Sequence, residues 1–169
     1  CGWGAIDRIF ASKRRAPVER IAINTGGGDA PGLNAVIRAV ALCAHNQGWE
    51  CFGIRDGFNG LLKPGDYPEG GLMRLTPETV RGITHLGGTI LGTSNQANPQ
   101  RFAIERNGKT EFEDVTNRVI DHVKANELDA LVCIGGDGTM SGAANLVKSG
   151  INCIGVPKTI DNDLEGCER

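Results

Sequence analysis

Two short segments of this chain carry residue types that could do chemistry together. Residues 134–139 read I-G-G-D-G-T, ending one apolar run and opening a helical pattern. Residues 156–163 read V-P-K-T-I-D-N-D and follow a second apolar run. Glycines let a backbone approach phosphate closely. Of two paired carboxylates, one can accept a proton while the other binds a metal ion. Together the two segments indicate phosphoryl transfer.

The first segment combines phosphate-binding glycines with one carboxylate. Asp137 lies between Gly136 and Gly138 and offers the hard oxygen ligand that Mg²⁺ prefers. Thr139 is placed to cap the helix that follows. The competing interpretation is that Asp137 only caps that helix.

The second segment places charged groups directly after a predicted strand. Pro157 keeps Val156 extended, and in an extended chain Asp161 and Asp163 point the same way. One carboxylate could accept a hydroxyl proton while the other organises a metal or the neighbouring charge. Lys158 supplies a cation for a transferring phosphoryl group. The competing interpretation is a polar turn.

A third glycine-rich loop precedes both segments. Residues 25–32 read T-G-G-G-D-A-P-G between an apolar run and a helical pattern, a setting that favours phosphate at a helix N-terminus. The loop lacks the G-K-[ST] of a Walker loop, and Pro31 occupies the third glycine position of G-x-G-x-x-G. Taken alone, it is best explained as an ordinary tight turn.

Apolar periodicity predicts the elements that position these loops. Predicted strands cover residues 21–24, 51–54, 130–134 and 152–156. Predicted helices run from Leu33 to Gly48, from Thr76 to Gly87, from 115 to 126 and across 140–147. Residues 55–74 are predicted to be irregular, and 97–114 to be loop-like with a hairpin around Asn107-Gly108.

Strands that alternate with helices indicate βαβ units and a parallel sheet. Ligands bind beyond the carboxyl ends of such strands. The loops 25–32, 135–139 and 157–163 each follow a predicted strand, so we expect them to share one edge of the sheet. This convergence predicts a single site.

Bulk composition narrows the class of protein. The 169 residues suit about one domain, and 25 glycines cluster between periodic segments as ligand loops would. A net charge of −2 gives no electrostatic case for nucleic acid or an anionic membrane. None of the six cysteines forms a C-x-x-C pair, and Cys133 and Cys153 lie in strand patterns, which predicts buried reduced thiols in a cytoplasmic protein. Residues 1–18 are predicted to be a poorly structured leader.

Four motifs taken together resemble the phosphofructokinase family. They are T-G-G-G-D-A-P-G-L-N at 25–34, G-G-T-I-L-G-T-S at 87–94, I-G-G-D-G-T at 134–139 and P-K-T-I-D-N-D at 157–163. G-G-D-G alone also occurs in NAD kinases and lipid kinases, but the ordered set is specific. The resemblance implies an α/β, parallel-sheet, Rossmann-like N-terminal domain over 19–169, ending before the half that binds sugar phosphate.

The implied activity is phosphoryl transfer from ATP to the 1-hydroxyl of fructose 6-phosphate in glycolysis, with Mg²⁺. Asp161 would take the hydroxyl proton, assisted by Asp163. Lys158 would supply a cation for the transferring phosphoryl group, and Thr159 would contact the substrate phosphoryl region. Substrate contacts are implied for Thr159, Ile160 and Asp161, and Mg²⁺ binding for Asp137. Donor contacts are implied for Gly28, Asn95, Gly136, Asp137, Gly138 and Thr139.

Two positions point to different phosphoryl donors. The position of Gly138 tends to be Gly in ATP users and Asp in pyrophosphate users, because a carboxylate there would crowd and repel the α-phosphate of a nucleotide. Lys158 matches pyrophosphate users and a mixed subgroup. A steric block is harder to evade than an extra cation, so ATP is predicted and a pyrophosphate-dependent enzyme is the alternative.

One position departs from the family pattern. After G-T-S the family commonly has Arg, whereas this chain has Asn95, which carries no charge. Either Lys158 or another cation compensates, or donor binding is weakened. The family's remaining sugar-phosphate contacts come from later in the chain and from a neighbouring subunit, which implies a homo-oligomer at full length. A non-catalytic nucleotide-binding fragment is a further alternative.

Overall fold

The computed structural model describes residues 18–94, 98–106 and 108–159. Seven strands are present there: β1 Arg20–Thr25, β2 Glu50–Ile54, β3 Leu72–Arg74, β4 Phe102–Arg106, β5 Lys109–Glu113, β6 Ala130–Gly135 and β7 Cys153–Pro157. The α-helices are α1 Leu33–Asn46, α2 Asn59–Leu62, α3 Thr116–Ala125 and α4 Asp137–Lys148. Short 3₁₀ turns cover Pro64–Asp66 and Pro99–Arg101.

The central sheet has the strand order β3-β2-β1-β6-β7. Strands β2, β1, β6 and β7 are parallel, and only β3 runs against its neighbour. The register aligns Thr25 with Ile134 and Ile134 with Val156, so β1, β6 and β7 end at one level. The predicted parallel sheet and the shared edge are thereby confirmed.

Apolar side chains cover both faces of this sheet. Alternate residues of β1 point to opposite faces: Ile21 and Ile23 pack with α1 and the 75–91 segment, while Ala22 packs with α2, α3 and α4. Ile23 and Leu131 are fully buried. The sheet is therefore the middle of three layers and a rigid support for the loops at its edge.

The helix predicted from Thr76 to Gly87 is wrong. Thr76 and Thr79 exchange side-chain and backbone hydrogen bonds, and Val80 N–H donates to the Thr76 carbonyl at 3.1 Å, as in a first helical turn. Gly82 then adopts φ +73°, which a right-handed helix cannot contain. The segment continues as turns to Gly87.

The remaining sequence predictions have mixed outcomes. The hairpin is confirmed as β4 paired with β5, although Asn107 lies outside the described residues. Residues 55–74, predicted to be irregular, contain α2 and β3, whose few residues carry too little periodicity to detect. Cys133 is buried and free as predicted, but Cys153 is only partly buried because β7 is an edge strand of the described sheet.

No helix among the described residues is long and apolar enough to cross a bilayer. The predicted leader falls almost entirely on residues 1–17, which lie outside the described part.

Candidate active site

The loops after β1, β6 and β7 are hydrogen-bonded to one another. Gly26 N–H donates to the Ile134 carbonyl at 2.9 Å, joining the first loop to the end of β6. Lys158 N–H donates to the Gly135 carbonyl at 2.9 Å, joining the third loop to the same strand. The predicted convergence at one edge is confirmed for 25–32, 135–139 and the described residues 157–159 of the third loop.

The 87–94 motif belongs to the same assembly. Gly27 N–H donates to the Ser94 carbonyl at 3.4 Å, and the Thr93 hydroxyl donates to the Gly27 carbonyl. Thr89 and Thr25 share a hydroxyl contact of 3.2 Å. The described parts of all four sequence motifs therefore lie close together.

A cavity of about 240 Å³ opens where these loops meet. It lies beyond β1 and β6, next to the point where the chain's crossovers change direction, which is the usual ligand crevice of an open α/β sheet. Its lining residues come from four segments: Asn24, Gly26, Gly27, Gly57, Phe58, Ser94, Asn98, Pro99, Gly136, Asp137, Gly138 and Thr139.

Thr139 packs where a second side chain would not fit. A Cβ added at Gly26 or Gly135 would collide with the Thr139 side chain, and at Gly135 it would also lie 2.9 Å from the Gly26 carbonyl oxygen. The two glycines are therefore needed for close approach of the loops. Thr139 makes no side-chain cap of α4, so the predicted capping role is wrong: tertiary packing, invisible in the local sequence, sets its position.

This packing makes a testable contrast between two adjacent glycines. Gly135→Ala should lower the free energy of unfolding by about 1–3 kcal/mol, because overpacking forces neighbours to move. Gly136→Ala, the matched control, meets nothing within 4 Å at φ −84° and should change it by less than about 0.5 kcal/mol. Denaturant unfolding of both variants of the full-length protein measures the difference. Equal stabilities would contradict the packing described for Thr139.

Helix α4 points its N-terminus into the cavity. Its cap residue is Gly136, and its first turn contains Asp137 and Gly138, which both line the cavity. The first amides of a helix lack intrahelical acceptors and carry the positive end of the dipole. Backbone donors thus face the space where an anion would lie.

Asp137 is free to bind a cation. Its side chain is exposed and makes no hydrogen bond or ion pair with the part of the chain that the structure describes. The competing interpretation as a cap is therefore wrong. No group of three potential metal ligands forms among the described residues, so Mg²⁺ here would draw its other ligands from water and phosphate oxygens, as it commonly does.

Gly28 and Gly138 leave open space around the cavity. A Cβ at either position would meet nothing within 4 Å. A larger side chain at Gly138 would therefore fit at the first turn of α4, beside the cavity, without displacing its neighbours.

Lys158 reaches from the third loop to the first. Its ammonium donates to the Gly28 carbonyl, and the side chain is partly exposed. The one cation predicted for this site is thereby placed against the glycine-rich loop. Thr159 follows it and is partly buried. Asn95, Ile160, Asp161 and Asp163 lie outside the described residues, so their predicted roles stay predictions.

Several lining residues were not anticipated from the sequence. Gly57 and Phe58 follow β2, and the Asp56-Gly57 turn directly after a strand was an available signal. Pro99 lies 3.9 Å, through its Cδ, from a Cβ built on Gly142 of α4, so it closes one wall. Asn24 was detectable only as a polar residue within an apolar strand.

The turn that presents Phe58 is held by a tyrosine. Asp56 adopts φ +46°, and its carboxylate accepts a hydrogen bond of 2.9 Å from the Tyr67 hydroxyl. Burial and the neighbouring Asp56 carboxylate raise the pKa of Tyr67 to about 12. The hydroxyl therefore stays protonated and keeps donating at every physiological pH.

Comparisons with known proteins agree on one family. The family model described as Phosphofructokinase matches residues 20–169. ATP-dependent 6-phosphofructokinase 2 of Clostridium perfringens is 47% identical over 150 residues, which are 88% of this chain and 39% of that protein. The chain thus spans about two fifths of that relative's length.

Solved structures share the fold. Pichia pastoris phosphofructokinase in the T-state matches with a TM-score of 0.68 and 33% identity, over 89% of this chain and 16% of that one. A pyrophosphate-dependent phosphofructokinase of Marinobacter aquaeolei matches with a TM-score of 0.64 over 88% of this chain and 36% of that one, and at 20% identity it shows the fold alone. The chain belongs to the phosphofructokinase family.

Proposed function

We propose that the full-length protein transfers the γ-phosphoryl group of ATP to the 1-hydroxyl of fructose 6-phosphate, giving fructose 1,6-bisphosphate in glycolysis. The observation that carries this proposal is a cavity lined by residues of the first three motifs, where Gly138 leaves space for a nucleotide and Lys158 of the fourth motif lies against the nearby Gly28 carbonyl. The relative from Clostridium perfringens is named ATP-dependent, which supports the same donor.

The described residues account for the donor half of the reaction. Gly28 and Gly136 allow the backbone to approach the phosphates, and the N-terminus of α4 offers amide donors to them. Asp137 would hold Mg²⁺, which would neutralise the charge that develops on the phosphate oxygens. Positioning and charge neutralisation supply most of the catalysis in such transfers.

The acceptor half rests on the segment after β7. Asp161 takes the proton from the 1-hydroxyl as its oxygen bonds to the γ-phosphorus, and the bond from that phosphorus to the bridging oxygen of ADP breaks. Asp163 assists the base, and Thr159 and Ile160 contact the substrate. Lys158 offsets charge on the transferring group.

Pyrophosphate is the alternative donor, and Lys158 is the observation that favours it. Its ammonium lies against the Gly28 carbonyl in the donor loop, where it would meet a compact, highly charged donor. The Lys158 ammonium would also supply the positive charge of the arginine that the family commonly has at the position of Asn95. We rank ATP first because the open space at Gly138 removes the steric block to a nucleotide.

The setting proposed for the protein is a cytoplasmic homo-oligomer. Free thiols at Cys43, Cys51, Cys133 and Cys153 fit a reducing compartment. A neighbouring subunit would complete the sugar-phosphate site.

The proposal is tested by assaying the full-length protein with fructose 6-phosphate and Mg²⁺, using ATP in one series and pyrophosphate in the other. We expect fructose 1,6-bisphosphate to form with a kcat/KM higher for ATP. Higher kcat/KM with pyrophosphate would put the alternative first. Donor binding without any turnover would favour a non-catalytic nucleotide-binding role.

A further inference from the structure

Asn24 is a buried polar residue whose side chain has no hydrogen-bond partner among the described residues. It is the fifth residue of β1, in register with Ile54 on one side and Cys133 on the other, and its exposed fraction is 0%. Neither Oδ1 nor Nδ2 has a hydrogen-bond partner within the described ranges. An unmet buried polar group costs about 1–3 kcal/mol, so its retention calls for a gain elsewhere.

The other two buried polar residues of the described ranges, Thr25 and Asn34, are hydrogen-bonded, and the buried Nε of the partly exposed Arg55, which has no hydrogen bond, lies 3.3 Å from the Glu69 carboxylate. Asn34 donates from Nδ2 to the Leu86 carbonyl at 3.1 Å, and its Oδ1 accepts from Ile90 N–H at 2.8 Å. Thr25 donates to the Gly92 carbonyl at 2.7 Å. Of the three buried polar residues in the described ranges, Asn24 is thus the one whose side chain has neither a hydrogen bond nor an ion pair.

Strand alternation places the Asn24 side chain on the cavity side of the sheet. Thr25, the next residue, bonds Gly92 in the layer that contains α1. Asn24 must face the opposite layer, as Ala22 does, and Ala22 packs in the same cluster as Phe58. Asn24, Phe58 and Thr139 all line the cavity.

We propose that Asn24 is a donor-binding residue whose carboxamide gains a hydrogen-bond partner only when the phosphoryl donor enters the cavity. Its Nδ2 group donates to an oxygen of the donor's phosphate chain, either directly or through one water trapped beneath it. Phosphate oxygens are strong acceptors, and Asn24 lines the same cavity as Gly27 and Gly136 of the glycine-rich loops. This inference rests on the proposed function, since it assumes that a phosphoryl donor is the ligand.

The unsatisfied Asn24 amide links the stability of the protein to its affinity for the donor. Without the donor, the unpaired amide lowers the stability of the folded protein. Donor binding removes this free-energy cost, and the gain adds to the donor affinity. Substitution by leucine, which has nearly the same shape, should therefore change stability and binding in opposite directions.

The first test is Asn24→Leu in the full-length protein, with Asn34→Leu as the matched control. Asn24→Leu should raise the Tm of the free protein and weaken Mg-ATP binding about tenfold, the value of one hydrogen bond. Asn34→Leu should lower the Tm, because its three partners lose their hydrogen bonds. Thermal unfolding and calorimetric titration give the two readouts.

The outcomes separate the possibilities. A lower Tm for Asn24→Leu, or failure of that variant to fold, means that the amide already has partners in the free protein and overturns the proposal. A higher Tm with unchanged Mg-ATP affinity also overturns it, because a structural role alone explains that result. Absence of Mg-ATP and Mg-pyrophosphate binding by the unmodified protein would overturn the proposed function as well.

A second test needs no substitution. In protein labelled with ¹⁵N-asparagine, Mg-ATP should shift the side-chain amide resonances of Asn24 and leave those of Asn34 nearly unchanged. Addition of Mg-pyrophosphate distinguishes a contact with the phosphates, which would give a similar shift, from one with the rest of the nucleotide. Binding of Mg-ATP without any shift at Asn24 would contradict the proposal even if every variant failed to fold.

Discussion

Asp161→Asn in the full-length protein should lower kcat by roughly 10²–10⁴-fold, because the amide cannot accept the hydroxyl proton. Affinity for Mg-ATP should stay within about twofold, since the donor site is built from the loops after β1 and β6. Steady-state kinetics with fructose 6-phosphate and calorimetric titration of the donor give the two quantities. This is the largest effect that the account predicts.

The matched control for this substitution is Asp114→Asn. Asp114 is an exposed carboxylate that accepts a hydrogen bond from Thr116 N–H at the start of α3 and does not line the donor cavity. Its loss should leave kcat unchanged. Retention of more than about a tenth of wild-type turnover by Asp161→Asn would remove Asp161 as the base.

Gly138→Asp should weaken Mg-ATP binding at least about tenfold while leaving Mg-pyrophosphate binding nearly unchanged. Two like charges about 4 Å apart near a protein surface repel by a few kcal/mol, enough for such a loss. The space around Gly138 is open, so the substitution acts on the ligand and not on the fold. Parallel calorimetric titrations of the variant with each donor measure the change in preference.

Ala144→Asp is the control for added charge on the same helix. Ala144 is exposed in α4 and lies outside the cavity lining. It should leave affinity for both donors close to that of the unmodified protein. Unchanged ATP affinity in Gly138→Asp would undo the argument that this glycine selects the nucleotide.

The meeting of the loops was predictable because the ends of the strands determine where the loops lie. An apolar run followed by a polar or glycine-rich loop fixes both the strand and its carboxyl-terminal loop, so the meeting of 25–32, 135–139 and the described residues 157–159 followed from the order of elements alone. The Mg²⁺-binding role of Asp137 stays a prediction, and its exposed carboxylate is compatible with that role. Local pattern and tertiary arrangement agree at these loops.

The predictions that failed, and the residue that was not predicted, depend on tertiary contacts and backbone angles that the local sequence pattern does not reveal. Thr139 has the residue type of a cap, but packing against Gly26 and Gly135 places its side chain elsewhere. Gly82 ends the turn that begins at Thr76, because its φ is positive. The φ of a single glycine within a periodic segment cannot be predicted from the sequence. Asn24 is distinguished only by the structure, in which its buried carboxamide has no hydrogen-bond partner among the described residues.

The central claim is that the cavity beside Gly138 is a nucleotide donor site. The most direct measurement is calorimetric titration of the full-length protein with Mg-ATP and, separately, with Mg-pyrophosphate. The account predicts tighter binding of Mg-ATP. Tighter binding of Mg-pyrophosphate would contradict it and make Lys158, held against the Gly28 carbonyl, the residue that identifies the donor.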